Sequence, residues 1–447
     1  MAIDRRDFIK ASAVVGGATL FGLNGLAART ALDPSRWKRG KANELGYGPL
    51  SPKPSENTGE VMLALPEGFS YKVFGKTGET MSDGNATPSA HDGMATFAAA
   101  DGMIRLVRNH EVRSNQERQI APNGPSYDPN AGGGTTTLVV DPETRELKKD
   151  FVSLSGTIVN CAGGPTPWGS WITCEETTVD GEVDENYTKP HGYCFEVPAD
   201  LDGPADPKPI VGMGRFVHEA IAVDPETGIV YLTEDRGSSG LFRYIPNTPG
   251  DMHSGGKLEM LAIVDKPQYD TRNGQTMGQT YPVEWVEIED VDPKTAGLDP
   301  SAIYTEGYGK GGATFGRLEG CWQGADSIFA NSTNGGDERL GQVWQYMPER
   351  NELKLLFESD SSENLEAPDN LCVSPRDGLL ICEDGGGLQY LRGLTLEGEI
   401  FDFATNELNE SEFAGACFSP DGKTLFVNIQ YPGITLAIYG PWERGLL

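Results

Sequence analysis

Residues 160–177 read N-C-A-G-G-P-T-P-W-G-S-W-I-T-C-E-E-T. Cys161 stands in a Gly/Pro loop, Trp171-Ile172-Thr173 has strand character, and two carboxylates, Glu175 and Glu176, close the stretch. Side chains alternate between the two faces of a strand, so one of this pair is expected to face inward and one outward if the strand runs that far. The same ending recurs down the chain. Thr233-Glu234-Asp235 follows Ile229-Val230-Tyr231-Leu232, and Glu383-Asp384 follows Leu379-Leu380-Ile381-Cys382. Strands that repeatedly end on acids predict a ring of units whose acidic tips converge on one place.

The turns repeat as well. Asp224-Pro225-Glu226-Thr227-Gly228, Ser374-Pro375-Arg376-Asp377-Gly378 and Ser419-Pro420-Asp421-Gly422 each lead into an apolar strand-like run. Each spells a tight turn between two strands, with Gly where a positive φ is needed. The last two copies begin 45 residues apart. That is the length of a four-stranded propeller blade, about 40–45 residues, and a propeller manages its strand edges by radial closure. Further short β-runs, such as Tyr71-Lys72-Val73-Phe74, Ile104-Arg105-Leu106-Val107 and Val343-Trp344-Gln345-Tyr346, support an all-β chain. The roughly 390 residues after residue 60 suit six blades with insertions at that repeat length. The segment 253–312, rich in polar, Gly and Pro residues, breaks the pattern and reads as an insertion, either a lid or ordinary loop decoration.

The chain has 447 residues and a formal net charge of -30. Nucleic acid and anionic membranes need basic patches, so both are excluded as partners. An acidic, solvated surface accounts for most of the charge, and a cation-rich site is compatible with it. Near the start, Asp4-Arg5-Arg6-Asp7-Phe8-Ile9-Lys10 precedes an apolar Gly/Ala-rich run and then Ala27-Ala28. This has the form of a twin-arginine export signal. The run is too short and mild for a membrane anchor, which needs about 20 apolar residues. Export by that route moves folded protein, which suits a chain that must take up a cofactor first. The expected division is a signal peptide over 1–28, a polar Pro-rich arm over 29–60 and a propeller over 61–447, periplasmic or extracellular and monomeric.

Acidic residues beside strand ends or Gly turns include Glu111, Glu175, Glu219, Glu234, Glu319, Asp369 and Glu383. Any one of them alone reads as a turn or surface residue before it reads as a ligand. Several carboxylates meeting at low dielectric repel and stay ionised only with cations. Ca²⁺ suits such a set, with six to eight oxygens in loose geometry. Cys161 differs in kind. It is either a small buried hydrophobe or a thiolate for a softer metal such as iron, zinc or copper. His110 and His218, each preceding a Glu, fit structural hydrogen bonds as well as ligation. The other cysteines lie in apolar runs and read as core. Neither a Gly-x-Ser-x-Gly elbow nor a P-loop is present, which excludes the usual serine hydrolase and NTPase designs.

Beyond these readings, the chain resembles the PhoX family of secreted bacterial alkaline phosphatases. The resemblance rests on ordered matches that include Asp92-Gly93-Met94-Ala95, Asn109-His110-Glu111, Asn160-Cys161-Ala162-Gly163-Gly164 and Thr166-Pro167-Trp168-Gly169. It continues through His218-Glu219, Arg317-Leu318-Glu319-Gly320, Pro368-Asp369-Asn370-Leu371, Glu412-Phe413-Ala414-Gly415 and Gln430-Tyr431-Pro432-Gly433. It implies a six-bladed propeller, phosphomonoester hydrolysis and an iron/calcium cluster in the central channel. By motif position, Cys161, Glu219 and Glu319 resemble the iron ligands. Glu111, Glu175, Glu234, Asp369 and Glu383 resemble calcium-site residues, with Asn109, Glu176 and Asp384 beside them. Arg317 resembles the phosphate clamp, acting with Glu319; a guanidinium fork matches phosphate oxygens. Fuller members of the family are longer, so insertions that shape substrate access are expected to be missing. A calcium-dependent propeller lactonase or phosphotriesterase, which does not need Cys161 or Arg317, and a non-catalytic metal-binding propeller are the rival readings.

Overall fold

The computed structural model describes residues 45–113 and 119–447. The signal peptide and the first part of the arm, to residue 44, lie outside the described residues. The chain is all-β and propeller-like. β1 (Ser51–Pro54) and β2 (Val61–Leu65) form a hairpin that precedes β3 (Ser70–Phe74). One antiparallel sheet contains β4 (His91–Ala98), β5 (Ile104–His110), β6 (Gly133–Val140) and β7 (Leu147–Thr157). The next contains β8 (Asn160–Pro165), β9 (Ser170–Glu175) and β10 (Cys194–Pro198).

A nine-stranded sheet follows, made of two runs. The first is β11 (His218–Val223), β12 (Val230–Glu234), β13 (Leu241–Thr248), β14 (Asp251–Ile263) and β15 (Thr280–Ile288). The second is β16 (Leu318–Gly324), β17 (Ser327–Ser332), β18 (Gln342–Met347) and β19 (Glu352–Glu358). They join where residues 280–282 of β15 pair with β19. The segment 253–312 holds most of β14, all of β15 and α1 (Ala302–Gly309), with irregular chain between them. Exposed and buried residues alternate at the start of β15, as expected for a strand with one face in solvent.

The last two sheets borrow from the start of the chain. β20 (Pro368–Val373), β21 (Leu379–Glu383), β22 (Tyr390–Leu394) and β23 (Ile400–Asn406) accept β2 along β23. β24 (Phe413–Phe418), β25 (Thr424–Ile429) and β26 (Ile434–Tyr439) are completed by β3. The C-terminal sheet thus closes on an N-terminal strand, which removes an open edge.

The first strand of each unit faces the axis. β4 packs on β8, β8 on β11, β11 on β16, β16 on β20, β20 on β24, and β24 back on β4. These strands are buried on both faces. Glycines let the backbones meet: a Cβ on Gly164 would stand 2.0 Å from the Ile221 carbonyl oxygen, and one on Gly415 would stand 2.3 Å from that of Asp92. Apolar clusters fill the spaces between sheets, and Trp322 packs against four of them.

Candidate metal centre

Two repeating positions deliver the polar groups. Each inner strand has a register irregularity at its start, for example between Asn160 and Gly163, His218 and Ile221, Leu318 and Cys321, and Pro368 and Leu371. A bulge bends the strand and re-aims a side chain. The second residue of these strands is Asp92, Cys161, Glu219, Glu319 and Asp369, and in β24 it is Ala414. The residue after each is short: Gly93, Ala162, Ala220, Gly320, Asn370 and Gly415 line the narrow axial channel.

The second position follows the second strand of each unit: Glu111, Glu176, Asp235, Thr333, Asp384 and Gln430. The backbone N–H of each donates to the carbonyl of the residue just before an inner strand: Ala90, Val159, Val217, Arg317, Ala367 and Glu412, respectively. Arg317 and Glu412 therefore occupy equivalent places in two units. Arg317 holds a left-handed conformation there, at φ 47, as do Ala90, Val159 and Ala367 at the equivalent places, so this backbone shape belongs to the repeat.

These positions gather three linked groups. Ligand atoms of Cys161, Glu176 and Glu219 lie within 4.8 Å of one another, as do those of Glu219, Glu319 and Asp369, and those of Asp369, Asp384 and Glu412. Glu219 and Asp369 are shared, so the groups form a chain. Cys161, Glu219, Glu319, Asp369 and Glu412 are buried, and Glu176 and Asp384 half-buried. Burial first, then the charges of Glu219, Glu176 and Asp92, hold the Cys161 thiol well above its usual range. The set of one thiol and six carboxyl groups therefore fits cations: bound metal would replace proton on sulfur and offset the mutual repulsion.

Arg317 stands at the edge of this chain. Its Nε and Nη2 donate to the two Asp235 carboxylate oxygens at 2.8 and 2.9 Å, and Nη2 also donates to Glu319. Its side chain keeps 16% of its surface exposed. The guanidinium is thus fixed by a bidentate partner while it faces the carboxylates from the solvent side.

The placements of the sequence-predicted residues divide. Cys161, Glu219, Glu319 and Asp369 come together, with Arg317 beside them. Glu111 lies apart from the three groups; its Oε2 and Asp92 Oδ2 both accept from Gln430 Nε2, at 2.9 and 3.0 Å. Glu175, Glu234 and Glu383, expected as calcium-site residues, are not in the three groups and have partners of their own. Glu175 turns away from the groups and accepts from His191 Nδ1 (2.7 Å) and from the backbone of Ile158, Gly192 and Tyr193. Glu234 is buried against Gly240 N–H, and burial pushes its carboxyl up to about 8. Glu383 pairs with buried Arg392, and burial, opposed by that arginine, leaves it at about 6. In each pair the strand-terminal residue binds partners away from the three groups, while the side chain of the next residue turns to the axis: Glu176 to Cys161 and Glu219, Asp235 to Arg317, and Asp384 to Asp369 and Glu412. Asn109 also serves the frame: its Nδ2 donates to the Ala162 carbonyl at 2.7 Å and its Oδ1 accepts from Trp171. His110 and His218 make structural hydrogen bonds to Ser89, Thr136 and Gly214. Glu412 was not among the sequence candidates. Its signal is its register equivalence to Arg317, visible only once β24 is aligned with β16.

The family described as alkaline phosphatase PhoX matches residues 45–433, and the twin-arginine translocation pathway signal sequence matches residues 2–22. No curated protein matches the sequence. Among solved structures, Pseudomonas fluorescens PhoX in complex with vanadate, a transition state analogue, is similar at TM-score 0.67 and 18% identity, covering 90% of this chain and 99% of that one. A gluconolactonase from Xanthomonas campestris is similar at TM-score 0.43 and 11% identity, over 88% of this chain and 98% of that one; a likeness that low carries no argument.

Proposed function

From the premise that this chain belongs to the alkaline phosphatase family PhoX, exported by the twin-arginine route, we propose the residues that carry its phosphatase chemistry. The enzyme is metal-dependent. Cys161, Glu176, Glu219 and Glu319 would hold iron, the sulfur selecting the softer ion. Asp369, Asp384 and Glu412, all oxygen donors, would hold calcium, and Glu111 with Asp92 offers a further oxygen pair. When bound, these cations offset charge developing on the phosphoryl group.

The chain's own residues do the rest. Arg317 orients a small phosphomonoester by its charge and its Nη1, and Asp235 holds the guanidinium flat for that contact through Nε and Nη2. Glu319 sits between the arginine and the metal groups, so it links substrate orientation to cation position. No side-chain nucleophile is assigned. The reading takes each inner strand and its partners as one blade of six. It divides the chain into leader 1–28, arm 29–60, pinned at β1, and catalytic body 61–447, working as a monomer. Among the described residues no helix is long and apolar enough to cross a membrane.

The observation that carries this is the chain of three acidic groups with one thiol at its end and a bidentate-held arginine at its edge. The test is elemental analysis for iron and calcium on protein exported by its own leader. Hydrolysis of p-nitrophenyl phosphate is then followed with and without a calcium chelator, for wild type, Arg317→Ala and Glu319→Ala. Loss of one oriented charge-assisted contact predicts a fall of about a hundredfold in turnover for Arg317→Ala. Near-wild-type rates in both variants would sink the assignment.

A further inference from the structure

Two cysteines outside the metal groups face each other across a strand pair. Cys174 on β9 and Cys194 on β10 are register partners, both fully buried, with their sulfurs 3.6 Å apart. One step along, Glu175 N–H donates to the Tyr193 carbonyl at 3.1 Å. That makes 175/193 a hydrogen-bonded pair and Cys174/Cys194 the neighbouring non-hydrogen-bonded pair. At such a pair the opposed Cα atoms come closest, about 4.5 Å, with side chains directed at each other. This falls inside the span a disulfide bridges, about 4.4–6.8 Å between Cα atoms. Among the described residues no other two of the seven cysteines have sulfurs in contact.

We propose that Cys174 and Cys194 form a disulfide after export. Oxidising compartments outside the cytoplasm favour such bonds, and the twin-arginine route delivers the folded protein there with the two sulfurs already aligned. The step is thiol–disulfide exchange. A Cys194 thiolate attacks an external disulfide, carried by a thiol oxidoreductase or a small disulfide, and releases one thiol. Cys174 then attacks the mixed disulfide and releases the second. Two protein thiols lose two protons and two electrons, and one external disulfide becomes two thiols. Access comes from the outer side of β10, the last strand of the β8–β9–β10 sheet, which is covered there only by an isolated bridge from Phe195 to Pro209 and a bond from Ile210 N–H to the Cys194 carbonyl; so short a cover opens at lower cost than a full strand. The bond would staple β10 to the strand that delivers Glu176, two residues beyond Cys174, and that pairs with the strand bearing Cys161.

Wild-type protein exported by its own leader would be purified without reductant, alkylated in denaturant, digested and mapped by mass spectrometry beside a reduced sample. The expected result is a linked peptide pair joining Cys174 to Cys194, two hydrogens lighter than its reduced parts, with the other cysteines alkylated. Recovery of Cys174 and Cys194 as alkylated free thiols overturns the proposal, as does linkage of either to a different cysteine. Leaderless protein kept in the cytoplasm should yield both as free thiols; an equal yield of bond there overturns its dependence on export. The readout is independent of phosphatase activity, so it stands or falls apart from the metal assignment.

Discussion

Replacing Glu175 by alanine should damage the fold, whereas replacing Glu176 should damage the metal site. Glu175 is fully buried and accepts from three backbone N–H groups, at 3.1, 2.8 and 3.2 Å, and from His191 at 2.7 Å. Each buried donor left without an acceptor costs about 1–3 kcal/mol. Removing one partner of a buried ion pair costs about 3–5 kcal/mol, and His191 would keep only Asp128, 3.6 Å away. Relaxation makes these losses less than additive, so roughly 4–8 kcal/mol is expected for Glu175→Ala. Glu176 is half-buried and points to Cys161 and Glu219; its truncation in metal-free protein should cost about 1 kcal/mol or less. The assay is urea unfolding followed by tryptophan fluorescence on chelator-stripped protein, with elemental analysis of unstripped samples. Stripping matters because bound metal adds its own stabilisation to the folded state. Equal unfolding midpoints for the two stripped variants would refute the division of labour, and so would full metal content in Glu176→Ala.

Two further outcomes follow from the same geometry. His191 is buried, which alone would lower its pKa, but Glu175 and Asp128 outweigh that and raise it to about 9. Its folded value exceeds the unfolded one, about 6.5, so its contribution of about 3 kcal/mol is complete below pH 6.5 and fades as pH rises through 9. Unfolding midpoints measured from pH 6 to pH 10 should fall for wild type and change less for His191→Asn; parallel curves would contradict this. A Cβ on Gly320 would stand 2.5 Å from the Asp369 carbonyl oxygen, whereas one on Gly386 meets nothing within 4 Å. Gly320→Ala should cost about 1–3 kcal/mol by overpacking and release metal by displacing Asp369, while Gly386→Ala should do neither, as elemental analysis and denaturation would report.

The sequence made the strands and their acidic tips legible because both are local. Turn chemistry marked the strand starts, and the short residues after Cys161, Glu219 and Glu319 are spelled beside them. The choice within each acidic pair was not local. Period-two alternation says that Glu175 and Glu176 part company, but not which one reaches the axis. The backbone gives the answer: the bond from Glu176 N–H to the Val159 carbonyl extends the β8–β9 ladder one residue past Glu175, and Glu176 is the one that meets Cys161 and Glu219. The same bond recurs from Asp235 to Val217 and from Asp384 to Ala367, so one rule describes all three acidic pairs. Glu412 escaped for a related reason. In β24 the usual ligand position is Ala414, and the acid has moved two residues upstream, into the place that Arg317 fills before β16. One geometric position thus supplies a cation beside the middle group of the acidic chain and a carboxylate within its last group. On the proposed reading, this asymmetry gives an otherwise repetitive ring one place at which an anionic substrate would be oriented.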